Sequence, residues 1–343
     1  MSHFPWHRGA LSRLLADRGR IPHALLVHGP AGIGKIEFAR SLAASVLCET
    51  PREGLACGTC PSCHWFSQGN HPDFREIVPE SALEEEEGDD APAKAEKAKS
   101  LVIKIEQVRA VTDFMALTTH RAGYRVLLIH PAEAMHPAAA NALLKTLEEP
   151  PAHTLIVLVS DQPARLLATI RSRCRLLPLA APPREEALQW LRAQDVAAPE
   201  SALAGAGGAP LLARDLAEPP EAELRKRVLA ELSRPSGADP VQFAAGMEKA
   251  NVERFIYWMQ TWVHDLLRVR LAGEARHHGD FAPALKARAQ AADVEGLFAL
   301  ERELATARSL ASHPLNARLV AEHLLMAYNA ATPHSDHLAK LRD

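Results

Sequence analysis

Short apolar runs recur along the first 180 residues, separated by loops and by stretches with helical spacing. Residues 24–29 stay apolar until glycine stops them. Residues 125–129 and 154–159 are apolar tracts of the kind a strand buried on both faces requires. Weaker strand patterns lie at 74–78 and 175–179. Phe38, Leu42 and Val46 repeat four residues apart and predict a helix over 36–48. Further helices are expected over 105–117 and 166–171, and over 137–149, where Pro137 suits a first turn and Pro150-Pro151 stops the element. Strands alternating with helices predict an α/β domain with a parallel sheet covered on both faces.

Past residue 180 the strand pattern ends. Residues 180–183 read as a linker, and 184–218 as short helices broken by Gly205, Gly207, Gly208 and Pro210. Beyond Pro219-Pro220 everything reads as helix. The clearest stripe is Val252, Phe255, Ile256, Met259, Trp262, Val263, Leu266 and Leu267, which predicts core or subunit interface rather than a cofactor site. No internal repeat is visible. Residues 80–100 stand apart: Glu84 to Glu87, Asp89 and Asp90 precede Lys94, Lys97 and Lys99 among alanines. Such a charged insertion has little to bury and reads as solvated.

Composition narrows the function classes. With 343 residues, two or three domains are expected. Hydrophobic residues at 47% and charged residues at 24% are globular values, which exclude wholesale disorder and collagen. The balance of 39 Lys+Arg against 42 Asp+Glu rules out a globally basic nucleic-acid coat. Aromatics at 5% argue against a stacking-rich single-strand binder. No apolar run is long enough to span a bilayer, and the first 20 residues lack the pattern of a secretion signal, so a cytoplasmic chain with no membrane partner is expected.

The first chemistry is a phosphate loop. Gly29-Pro30-Ala31-Gly32-Ile33-Gly34-Lys35 matches G-x-x-x-x-G-K between an expected strand and helix. Gly29, Gly32 and Gly34 let backbone N–H groups wrap a phosphate, and Lys35 reaches the terminal phosphates. The groups that should follow are absent. Ile36 stands where a hydroxyl would hold Mg²⁺. At the end of the 125–129 strand, His130 and Pro131 stand where a metal-binding Asp and a water-polarising Glu are needed. Glu133 reads as a solvated residue before a helix. Nucleotide binding is left open, and useful hydrolysis is not expected.

The second is a metal module over 48–69. Cys48, Cys57, Cys60 and Cys63 have the spacing C-x8-C-x2-C-x2-C, and four thiolates make a closed, structural Zn²⁺ site. Cys60 to His64 also spells C-x-x-C-H, but haem attachment needs export, and four clustered cysteines favour metal over a redox pair. The third is the basic run Arg171-Ser172-Arg173-Cys174-Arg175, suited to phosphate contact on nucleic acid or on a nucleotide held by another subunit. Spacing alone leaves a solvated turn open and does not choose among the three arginines.

Several segments together resemble the clamp-loader branch of the AAA+ family. They are Asn141 to Pro151, Ser172-Arg173-Cys174, the four clustered cysteines, His71-Pro72-Asp73, Ile105 to Arg109 and, more loosely, Asn316 to Leu319. The resemblance implies a RecA-like AAA+ domain over 1–180, a helical lid over 181–219 and an all-α collar domain over 220–343. It singles out Arg173 as an arginine finger pointing into a neighbour's ATP site. It also implies a non-hydrolysing stator within the bacterial DNA polymerase III loader. The implied partners are gamma/tau motor subunits and a delta subunit, with the sliding clamp and primed DNA met through the complex. Leu211 falls near a motor's nucleotide-sensing arginine, with Arg214 close by, and that point stays open. An ATP-hydrolysing motor and a zinc-containing nucleic-acid binding protein are the competing readings. No pair of magnesium-binding carboxylates suggests a polymerase site in this chain.

Overall fold

The computed structural model describes residues 4–82, 100–116, 123–311 and 316–333. Most of the charged insertion, 83–99, therefore lies outside the described residues. The chain forms two compact units that divide between Pro183 and Arg184. Among the described residues, no helix is long and apolar enough to cross a membrane.

The first unit is a parallel α/β sheet. Helix α1 (Arg8–Leu15) precedes strand β1 (Ala24–His28), and α2 (Lys35–Leu47) follows it. Then come α3 (Pro61–Ser67), β2 (Phe74–Ile77), α4 (Ile105–Ala116), β3 (Arg125–Ile129), α5 (Pro137–Glu148), β4 (Thr154–Ser160), the short α6 (Ala168–Arg171) and β5 (Arg175–Pro178). The order β2-β3-β4-β1-β5 is parallel throughout. β3 and β4 are buried along their whole length, as their unbroken apolar sequences demand. β1 thus lies inside the sheet between β4 and β5 and delivers its carboxyl end beside theirs, where loops from several strands converge.

A buried ion pair braces the far edge. Arg125 at the start of β3 reaches Asp73 (3.4 Å) before β2, donates to the Phe114 carbonyl (2.8 Å), and stacks on the Phe114 ring. Gln107 in the first turn of α4 donates to the Val78 carbonyl and accepts from the Lys104 amide, tying α4 to the end of β2.

The second unit is all helix: α7 (Arg184–Ala193), α8 (Pro199–Gly205), α9 (Pro210–Ala217), α10 (Pro219–Leu232), α11 (Pro240–Ala244), α12 (Val252–Ala272), α13 (Ala282–Ala291), α14 (Val294–Leu310) and α15 (Ala317–Ala331). Helices α8 to α11 each start on proline, whose missing N–H costs nothing there. Every residue of the predicted α12 stripe is buried. One hydrophobic core runs from Ala187 to Ala331, so the residues expected as lid and as collar share it. Trp262 donates to the Tyr328 hydroxyl, which donates in turn to the Leu232 carbonyl, linking α12, α15 and α10.

Asp265 on α12 is fully buried and accepts from the backbone amides of Arg276, His277 and His278. That loop delivers His278 into the core, its ring bonded to Thr261 and Arg225. Burial, with the charges of Arg225 and His277, pushes its pKa down to about 2. The unfolded chain takes up a proton near pH 6.5 and the folded chain does not, so stability falls as pH drops below about 6.5. Between pH 7 and pH 5 the wild type is expected to lose about 2 kcal/mol more than a His278→Gln variant. Urea midpoints at the two pH values check this, and parallel losses would refute it.

Candidate functional site

The phosphate loop leaves β1 at a point of close backbone approach. A Cβ on Gly29 would lie 2.1 Å from the Leu179 carbonyl oxygen, so only glycine passes. Gly32 and Gly34 take φ of 75° and 87°, and a Cβ on Gly34 would also meet the Phe4 ring at 2.5 Å. Phe4 stacks on Trp6, and the Trp6 indole donates to the Ile33 carbonyl (3.0 Å). An aromatic N-terminal strap therefore braces the loop from outside.

Lys35 opens α2 with its side chain only 3% exposed. Its ammonium donates to the Pro30 carbonyl and pairs with Asp161 Oδ1 at 2.5 Å. Asp161 follows β4 directly. Its amide and that of Gln162 donate to Glu133 Oε1 (3.0 and 3.2 Å). Glu133 is thus half-buried and structural, not the solvated residue expected from the sequence. It fixes the loop that carries Asp161.

At the end of β3, His130 Nε2 meets Glu76 Oε1 on the neighbouring strand β2 at 2.5 Å. Arg40 on α2 donates to the same oxygen through Nε and Nη2 (3.0 and 2.8 Å). Burial alone would raise the Glu76 pKa. The bonds from His130 and Arg40 outweigh it and hold the carboxyl below its ordinary value. His130, which stands where the sequence pattern calls for a magnesium-binding carboxylate, is thus engaged in a His–Glu–Arg cluster, and Ile36 offers no hydroxyl. The sequence pointed to Gly29, Gly32, Gly34 and Lys35 but missed Asp161, Glu76 and Arg40. An Asp two residues past the buried 154–159 run was the only signal for Asp161.

The second site lies at the other end of α2. Cys48 caps that helix, Cys57 follows a short turn, and Cys60 and Cys63 stand at the start of α3. The four sulfurs all lie within 4.8 Å of one another, with Cys48–Cys60 at 3.8 Å and Cys57–Cys63 at 4.0 Å. Tetrahedral Zn²⁺ with bonds of about 2.3 Å needs sulfurs about 3.8 Å apart, so the donor set fits the metal. None of the four is taken up in a disulfide. Backbone amides of Cys57, Cys60 and Cys63 donate to Sγ of Cys48, Cys57 and Cys60, which offsets thiolate charge. The Thr50 hydroxyl, helped by the Thr59 amide, holds the Cys57 thiol down at about 5, whereas burial pushes Cys63 up to about 12. Metal charge would have to draw the proton from Cys63. The module is keyed to the sheet through Ser62, which donates to the Leu47 carbonyl and meets His71 Nε2 (2.6 Å).

The third predicted site, the basic run, straddles α6 and β5. Cys174 is buried, and its thiol is raised to about 11 by that burial. Arg171 and Arg175 are exposed. Arg173 is about one-third exposed and is held at both ends of its guanidinium, by the Thr169 carbonyl (2.9 Å) and by Glu148 at the end of α5 (2.5 Å). Arg214, on α9 of the second unit, pairs with Asp215 and lies over the Trp190 ring.

Residues 10–183 match the family model described as DNA polymerase III, delta subunit, and residues 220–329 match that described as DNA polymerase III, delta subunit, C terminal. The chain is 37% identical over 276 residues to the DNA polymerase III subunit delta' of Pseudomonas aeruginosa, covering 78% of each. It is 33% identical over 286 residues to the Escherichia coli subunit delta', covering 81% of this chain and 78% of that one. It is also 36% identical over 163 residues to the tau subunit of Salmonella typhimurium, over 48% of this chain and 22% of that one.

Proposed function

This chain belongs to the delta' family of DNA polymerase III clamp-loader subunits, and from that premise we propose that it is the loader's non-hydrolysing stator. It joins gamma/tau motor subunits and a delta subunit in the bacterial cytoplasm, and helps them place the sliding clamp on primed DNA. The closed His130–Glu76–Arg40 cluster carries the reading. Hydrolysis needs magnesium on the triphosphate and a side chain that orients the in-line water, and Ile36, His130 and Pro131 can neither anchor the metal nor polarise the water. An intact loop still lets the site hold ATP or ADP.

The chemical contribution is made in trans. Arg173 leaves Glu148 and places its guanidinium on the triphosphate of a motor subunit, where it stabilises charge on the transferring phosphoryl group. Residues 181–219 serve as the lid and 220–343 as the collar that joins the oligomer. Zinc on Cys48, Cys57, Cys60 and Cys63 closes a module with almost no apolar core of its own. The isolated chain is expected to show no ATP turnover above background, and Lys35→Ala to leave that background unchanged. Brisk hydrolysis abolished by Lys35→Ala would identify a motor instead.

A further inference from the structure

We propose that Asp161 is the residue that sets how tightly the phosphate loop takes a nucleoside di- or triphosphate, by acting as a built-in competitor for Lys35. The inference rests on the reading that this loop still holds nucleotide, and adds to it the group that a phosphate must displace.

Lys35 is buried, and an ammonium has three donors. Two are directed at protein oxygens, the Pro30 carbonyl and the Asp161 carboxylate. A phosphate entering the loop needs those donors. It must also approach a carboxylate of its own sign, because Asp161 is held beside the loop by Glu133, which takes the amides of Asp161 and Gln162. In a site that anchors magnesium through a hydroxyl and a carboxylate, the metal would screen such repulsion. Here Ile36, His130 and Pro131 supply no such anchor. The competition therefore falls directly on the phosphate.

Asp161 is 44% exposed on its side chain, so the pair is partly solvated and its opening is affordable. Removing the carboxylate frees Lys35 and deletes a like charge from the pocket. Asp161→Asn is expected to tighten ADP binding about tenfold, and Asp161→Ser to act in the same direction, which guards against a fault in either variant.

The test is calorimetric titration of ADP into the full-length, zinc-loaded chain, using wild type, Asp161→Asn, Asp161→Ser, Lys35→Ala and Lys35→Ala/Asp161→Asn. Circular dichroism establishes that each is folded. The expected result is tighter binding in both Asp161 variants, weaker binding in Lys35→Ala, and less than a twofold effect of Asp161→Asn once Lys35 is gone. Unchanged or weaker binding in the Asp161 variants overturns the proposal and leaves the nucleotide-site reading standing. An equal gain with and without Lys35 also overturns it, by assigning the effect to general charge. Absence of binding in every variant at millimolar ADP overturns the nucleotide-site reading, and the proposal with it.

Discussion

If Arg173 is the finger proposed above, a loader rebuilt with Arg173→Ala is expected to hydrolyse ATP on the order of 10³-fold more slowly at the neighbouring site it serves, without falling apart. Two magnitudes decide this. The Glu148 pair that holds Arg173 is roughly one-third to one-half exposed, and pairs of that kind are worth at most about 1 kcal/mol. A guanidinium fork on a transferring phosphoryl group is worth about 4 kcal/mol for a 10³-fold effect. Losing the Glu148 pair therefore costs less than a finger would return in the transition state, so that pair is no obstacle to the proposed role. Arg173→Lys should restore part of the rate, because charge survives but the planar two-pronged contact does not. DNA- and clamp-stimulated ATPase of the reconstituted complex gives the readout, with size-exclusion chromatography showing intact assembly. A rate unchanged by Arg173→Ala would end the finger assignment.

The second large effect concerns the metal. The purified chain is expected to hold one zinc, and Cys63→Ser to lose it along with the ordered fold of the 48–69 module. The apolar cluster there consists of Cys48, Cys60 and Cys63, with Ala56 and Cys57 against it. Nothing in that set supplies a core once the sulfurs part. Structural zinc in small modules contributes about 10–16 kcal/mol at neutral pH, far more than such contacts replace. Metal analysis gives the stoichiometry. Limited proteolysis should show new cleavage within 48–69 while the buried strands β1, β3 and β4 stay protected. A folded, protease-resistant chain with near-zero zinc would refute the assignment.

The strands and the phosphate loop were legible because their signals are local. Fully apolar tracts at 125–129 and 154–159 have few alternatives to buried strands, and a glycine-lysine motif carries its own geometry. The four cysteines were legible for the same reason, since one short loop brings them together. The helices α1 and α3 were not seen as elements. Each is short, and α3 owes its position to the sulfurs around it and to the Ser62–His71 contact. The couplings Lys35–Asp161 and His130–Glu76–Arg40 were invisible for a different reason. They join residues 126, 54 and 36 positions apart, and depend on β4 lying beside β1 and β2 beside β3. Strand order is a long-range outcome that periodicity does not encode.

Helix α2 begins at Lys35 and ends against Cys48, a span of 13 residues, or about 20 Å. It is a rod pinned at both ends, by the Lys35–Asp161 pair at one and the cysteine cluster at the other. Such a rod has little freedom to swing when a ligand arrives. Adjustment to a bound phosphate is left to the loop after β4 and to the aromatic strap.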